Sequence, residues 1–207
     1  MMIRFRILWL FGLLSPVFAE EIACGSPVEA IEGNVTEMLD ILKSSCKRGT
    51  LKQSVEDSIL ESFIPHVDTG LITKQVLGRQ YWRVTSDEDK VRLKLQIERL
   101  LAKQYSEAFN CEYLDNEMVF HPLRGEVKQY SRVDSNIALN DKTSILLRYA
   151  VRCQEDQWKI YDIVIDGLSL AQTYRSQFNR ILQQGGAESL IRYLERKLTQ
   201  DADELQD

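Results

Sequence analysis

The sequence predicts an α+β fold in which helices cover one face of an antiparallel sheet, and three stretches of apolar spacing predict it. Apolar residues recur at helical spacing up to about residue 109, alternate every second residue between about 117 and 165, and return to helical spacing after Asp166-Gly167. The strands run together instead of alternating with helices, which sets the class as α+β rather than a doubly wound α/β sheet. The expectation is about four strands under about six to seven helices, with a helical lobe over residues 26–110, the sheet over 117–165 and C-terminal helices over 168–199.

The chain has 207 residues and opens with Arg4 and Arg6, an apolar run from Ile7 to Leu14, and the small-residue site Val17-Phe18-Ala19 before Glu20. This pattern predicts an export signal over residues 1–19, cleaved near Ala19, a single domain over 20–200 and a flexible acidic tail over 201–207. The run is too short to cross a bilayer, and no later segment stays uncharged for about 20 residues. Cys24 as a lipid-anchored N-terminus competes with this reading, but Glu21 stands where such a signal wants an apolar residue.

Ser26-Pro27-Val28-Glu29 reads as a capping box opening the first helix, whose Val28, Ile31, Val35, Met38, Leu39 and Leu42 share a face. A second helix is expected from about Ser54 to Ile64, stopped by Pro65, and a short one from Asp68 to Leu77, ended by Gly78. Ser86-Asp87-Glu88-Asp89 is the strongest start signal, an N-cap followed by three acids at the positive end of a helix that runs to about Phe109. The stripe Leu93, Ile97, Leu100, Leu101, Tyr105 and Ala108, widened by Val91, Leu95, Ala102 and Phe109, predicts packing on two surfaces, such as a sheet and other helices or a ligand.

Ile145, Leu147, Tyr149, Val151 and Cys153 form the apolar face of a strand. A turn at Gln154 to Gln157 makes it a hairpin with Trp158 to Ile165, and weaker strands are expected at about Glu117 to Pro122 and Glu126 to Leu139. Beyond Gly167, Ala171, Tyr174, Phe178, Ile181 and Leu182 form one helical stripe. Gly185-Gly186 breaks it before a second stripe of Ala187, Leu190, Ile191, Leu194 and Leu198.

The formal charge is −5, and loss of Arg4 and Arg6 with the leader would take it to about −7, which argues against nucleic acid and anionic membrane surfaces as partners. An even count of 4 cysteines in an exported chain predicts disulfides. The preferred pairing is Cys24 with Cys46, across the first helix, and Cys111 with Cys153, from a helix end to a strand end. His66 and His121 are the only histidines, so no cluster has zinc-ligand spacing and no metal is expected. Phosphate-cradling loops, nucleophile elbows and metalloprotease helices are also lacking. An enzymatic reading would use Asp162 or Asp166 as a pocket base, although Asp166 beside Gly167 equally fits a turn. Tyr81-Trp82 fits either core packing or the mouth of a pocket.

The segment from Val76 through Gly78 to Trp82, followed by Ser86 and the helix to Tyr105, resembles the first signature of the MlaC, or toluene-tolerance, family of periplasmic phospholipid-binding proteins. The segment from Trp158 to Leu170, continuing through Tyr174-Arg175 and Phe178, resembles the second. The resemblance spans about Val55 to Leu198 and is weak between about Asn110 and Thr143. Asp166 stands in place of the more usual glutamate, and Leu168 in place of valine.

What the resemblance implies is a cystatin-like (nuclear transport factor 2-like) sheet whose helices close an apolar cavity. The cavity would hold phospholipid acyl chains as cargo, with no cofactor and no catalysis. The implied partners are an inner-membrane ABC transporter complex and an outer-membrane lipoprotein complex, and the implied role is maintenance of outer-membrane lipid asymmetry. The protein is expected to be periplasmic and a monomer. Burying an acyl chain is worth about 0.8 kcal/mol per methylene, so carriage needs a closed pocket rather than a greasy groove. The lining candidates are Leu71, Val76, Tyr81, Leu93, Ile97, Leu101 and Tyr105 from the helices, and Leu147, Tyr149, Val151, Ile163 and Ile165 from the sheet. No dedicated basic site is evident in the sequence, which predicts broad head-group tolerance. A protein-interaction module with a solid core is the remaining alternative.

Overall fold

A computed structural model describes residues 23–48, 52–108, 114–140 and 143–203. The expected export signal, the last residues of the acidic tail, and Cys111 lie outside the described residues.

Helix α1, Pro27–Arg48, starts where its cap predicts, with the Glu29 amide donating to Ser26 Oγ at 3.4 Å. Its Ile31, Val35, Met38 and Leu42 are buried in one stripe. Helix α2, Lys52–Ser62, gives way to a 3-10 turn, Ile64–His66, at Pro65. Helix α3, Thr69–Val84, is capped by Asp68, whose Oδ1 accepts from the Leu71 amide at 2.9 Å. Gly78 does not end this helix, as expected, but kinks it. The chain passes through φ 66, ψ 169, a region open in practice to glycine alone, and then resumes helical geometry.

Helix α4, Asp87–Ala108, opens on a reciprocal cap, Ser86 Oγ accepting from the Asp89 amide and donating to the Asp89 carboxylate. Its main neighbours are α2, α3 and α5 rather than the sheet, and Val91 and Leu95 on its flanks stay exposed. The buried face of this helix is therefore narrower than its apolar residues imply. Helix α5, Leu170–Asp203, carries both C-terminal stripes and is interrupted at Gly185 and Gly186. Counted as continuous across these bends, the helices among the described residues number five, where six to seven were expected, and the break foreseen at Gly185-Gly186 is present as non-helical backbone.

Among the described residues the sheet has five strands in the order of the chain, all antiparallel: β1 Met118–Phe120, β2 Tyr130–Asn140, β3 Thr143–Gln154, β4 Gln157–Ile165 and β5 Leu168–Ser169. The strand beyond the expected four is β5. Its two residues pair back on Val164 and Ile165 after the Asp166-Gly167 turn, a length at which no alternation can be read. Ser131, Val133 and Ser135 of β2 and Leu147, Tyr149 and Val151 of β3 face the core. Helices α1, α3 and α5 all contact β4.

The expected cysteine pairing is overturned, because Cys24 is bonded to Cys153. Cys24 lies just ahead of α1 and Cys46 near its far end. A helix of 22 residues holds its ends about 33 Å apart, far beyond the roughly 7 Å limit for a disulfide. The segment before α1 lies instead over the sheet, where Trp158 Nε1 donates to the Gly25 carbonyl at 3.2 Å. Trp158 pairs with Cys153 across β3 and β4, which brings Cys24 to its partner. Cys46 is also disulfide-bonded.

Candidate apolar pocket and its cationic rim

The site begins with an irregularity in β4. Val151 pairs with Ile160 but Ala150 pairs with Asp162, so Tyr161 is an extra residue and the strand bulges there. The backbone groups at the bulge are satisfied by α3 and the turn before it. The Asp68 amide donates to the Ile160 carbonyl at 2.8 Å, and Gln75 Nε2 donates to the Tyr161 carbonyl at 3.1 Å. Asp162 accepts from Ser169 Oγ at 2.6 Å and from the Ala171 amide at 3.1 Å, which caps α5. Asp166 sits in an exposed turn at φ 47 and accepts from the Leu146 amide at 3.1 Å. Both carboxylates considered as bases therefore hold backbone in place.

Between the bulged strand and the helices lies an apolar pocket of about 30 Å³. Phe63, Val67, Ile72, Leu101 and Tyr105 line it from the helical side, Ile160, Asp162 and Ile163 from β4, and Leu170, Ala171 and Tyr174 from α5. Burial pushes the Tyr105 phenol far above its ordinary range, with Tyr174, Tyr149 and Asp162 adding to the shift, and burial likewise raises Tyr174. Both hydroxyls stay neutral at physiological pH. Phe63 meets Tyr105 edge-on at 6.0 Å, and Tyr174 stacks on Phe178 at 5.8 Å, giving the pocket aromatic walls.

Ala171 also lines a second, wider hollow of about 590 Å³ between α3 and α5. Lys74, Arg79, Arg83 and Arg175 stand around it with Trp82, and no carboxylate lines it. The Arg175 guanidinium lies over Gly78, where an added Cβ would sit 2.7 Å from Arg175 Nη2, so both the backbone angle and the space require glycine. No such grouping of cations is evident in the sequence, where its members are scattered. Arg175 is far in sequence from the other three cations, and the kink at Gly78 is what brings the two helices together here. On the opposite face of the sheet a polar cleft of about 520 Å³ runs beneath residues 121–128, past Arg132 and the Asp134–Arg148 pair. It is larger than the apolar pocket but lined by charges. Among the described residues, no group of three or more His, Cys, Asp and Glu side chains could hold a metal.

Of the residues singled out from sequence, Leu101, Tyr105 and Ile163 line the apolar pocket and Leu71 lines the basic groove. Val76, Leu93, Ile97, Leu147, Tyr149 and Val151 are buried in the core, while Tyr81 and Ile165 pack partly exposed against it. Phe63, Ile160 and Tyr174, which fall in the expected second helix, hairpin strand and C-terminal stripe, join the lining, and apolar periodicity cannot separate a lining from a core.

A family model described as MlaC protein matches residues 32–196. The toluene tolerance protein ttg2D of Pseudomonas putida is 22% identical over 166 residues, which is 80% of this chain and 77% of that protein. Among solved structures, a phospholipid-binding protein from Ralstonia solanacearum, in complex with a phospholipid, superposes with a TM-score of 0.73 at 25% identity, covering 84% of this chain and 97% of that one. With its two signature segments meeting at the kinked helix and the bulged strand, this chain belongs to the MlaC protein family.

Proposed function

We propose that this protein is a periplasmic phospholipid carrier that holds acyl chains between β4 and the helices α3, α4 and α5. The observation that carries the reading is the apolar pocket at the bulge, in a chain whose Ralstonia solanacearum relative holds a phospholipid. A sheet with helices packed on it fits the cystatin-like architecture of the resemblance. The pocket takes its cargo by non-covalent burial, since Asp162 and Asp166 are engaged with backbone donors.

At about 30 Å³ the pocket is far below the roughly 300–1,000 Å³ typical of ligand sites. Loading therefore requires α3 or α5 to swing from β4, and the non-helical glycines in both helices provide the bending points. Separation costs apolar burial that the acyl chains then restore, so lipid and helix compete for one surface. The release step needs a receiving protein with a comparable environment. That supports shuttling between an inner-membrane ABC transporter complex and an outer-membrane lipoprotein complex.

Mass spectrometry of the intact protein purified without detergent, with an organic extract of the same sample, tests the reading. The expected result is phospholipid at near one per chain. A lipid-free protein that also takes up none from vesicles would sink the carrier reading and leave an enzyme or a protein-interaction module.

A further inference from the structure

The acyl pocket and the basic groove share Ala171, and they take successive residues of α3, Ile72 and Leu71. A lipid whose chains entered past Ala171 would place its head group in the groove. We propose that Lys74, Arg79, Arg83 and Arg175 form a phosphate-binding rim for that head group, and that the rim makes the carrier favour glycerophospholipids of net negative charge. The inference rests on the carrier reading and adds the chemical class of the cargo.

Three observations support it. The chain is acidic overall, at −5, yet four cations face one hollow with no carboxylate among its lining residues. Among the described residues none of the four makes an ion pair with Asp or Glu, whereas Arg92, Arg148, Arg152 and Arg192 all do. Like charges gathered without counter-charge repel one another, and an anion relieves that repulsion. Arg175 also lies over the bare backbone of Gly78, so its place in the groove depends on the glycine that kinks α3.

A phosphodiester is common to all glycerophospholipids, so the rim admits each of them. Phosphatidylethanolamine carries its own ammonium to offset the phosphate and phosphatidylglycerol does not, so the preference follows net charge rather than the shape of the alcohol.

Lipid-free protein would be incubated with equimolar phosphatidylglycerol and phosphatidylethanolamine vesicles, re-isolated, and its lipid extract quantified. Wild type should favour phosphatidylglycerol about three- to tenfold at low salt, and the preference should fall toward parity at high salt. The K74Q/R79Q/R83Q variant changes exposed side chains only. Its extract should hold the two lipids at near parity, and a retained phosphatidylglycerol preference would overturn the rim. Equal uptake of both lipids by wild type at low salt would overturn the rim while leaving the carrier intact. Failure of wild type to take up either lipid would instead overturn the carrier reading. Titration with inorganic phosphate separates a head-group site from a free-anion site. Phosphate binding that persists unchanged after lipid loading would overturn the inference. Phosphate binding lost on loading would support it.

Discussion

The two halves of β4 do opposite things. In the first half, Trp158 and Ile160 are almost completely buried and pair with Cys153 and Val151. The disulfide to Cys24 and the Trp158–Gly25 hydrogen bond fasten that end to the segment before α1. In the second half, past the bulge, Asp162 to Ile165 are all only partly buried, and Asp162 and Ile163 line the pocket together with Ile160 at the boundary. One extra residue, Tyr161, marks the change from a tightly buried stretch of strand to a partly exposed one. Substitutions on either side of Tyr161 should therefore have different consequences for stability.

The largest expected effect is at Trp158. Trp158→Ala removes a buried ring and its hydrogen bond to the Gly25 carbonyl, and it should cost about 3–5 kcal/mol in urea unfolding. Ile163→Ala, on the other side of the bulge, should cost less than about 2 kcal/mol, because that side chain already borders a void and is partly exposed. Equal losses at the two positions would break the distinction. Next comes the staple itself: Cys24→Ser with Cys153→Ser opens a loop closed across 129 positions and should cost about 2–4 kcal/mol. The amount of bound phospholipid per folded chain should be unchanged, since neither cysteine lines the pocket.

How much of this could be read beforehand depends on whether local spacing carries it. Parity in β3 was legible, since Leu147, Tyr149 and Val151 alternate cleanly and all face the core. The bulge had a signal that simple alternation overlooks. Trp158 and Ile160 are in step with each other, and so are Ile163 and Ile165, but the two pairs are one residue out of phase. The disulfide was decidable in part, because α1 is too long for Cys24 to reach Cys46. The cationic rim was not legible. Its members lie on two helices far apart in sequence, and Gly78 reads equally as a helix end or a kink until the partner helix is in place.

A smaller effect sharpens the comparison on the outer face, in the row of the sheet that runs through Val164. There Arg148 chelates Asp134, Nε to Oδ1 at 2.8 Å and Nη2 to Oδ2 at 3.1 Å. The Arg148 hydrogen bond holds the Asp134 carboxyl below its ordinary range, against partial burial, with the charges of Arg148, Arg124 and His121 assisting. A depressed folded value means that this contribution is complete above the unfolded carboxylate's pKa of about 3.9 and is lost as pH falls through the lower folded value. Asp134→Asn should therefore cost less than about 1 kcal/mol at neutral pH, given the exposure of Arg148, and nothing once the solution is acid enough to protonate the native carboxyl. Urea unfolding of both proteins from pH 7 to pH 2 checks it. A gap between them that persists at the acid end would mean that packing, not charge, holds this row.

The smallest effect lies at the turn that feeds the sealed half. Gln154 and Gln157 close the β3–β4 hairpin, and the two residues between them, Glu155 and Asp156, both have positive φ, at 52° and 59°. A two-residue turn of that geometry matches the right-handed twist of the strands but favours Asn-Gly, because side chains with a Cβ are strained there. Glu155→Asn with Asp156→Gly should relieve that strain and stabilise the protein by about 0.5–1 kcal/mol, less the added freedom of glycine in the unfolded chain. Because this end of the hairpin is also held by Cys24–Cys153, the gain should be larger in the Cys24→Ser, Cys153→Ser background, where the turn alone sets the register of Trp158 against Cys153's replacement. An identical gain in both backgrounds would show that turn and disulfide act independently on the sealed half of β4.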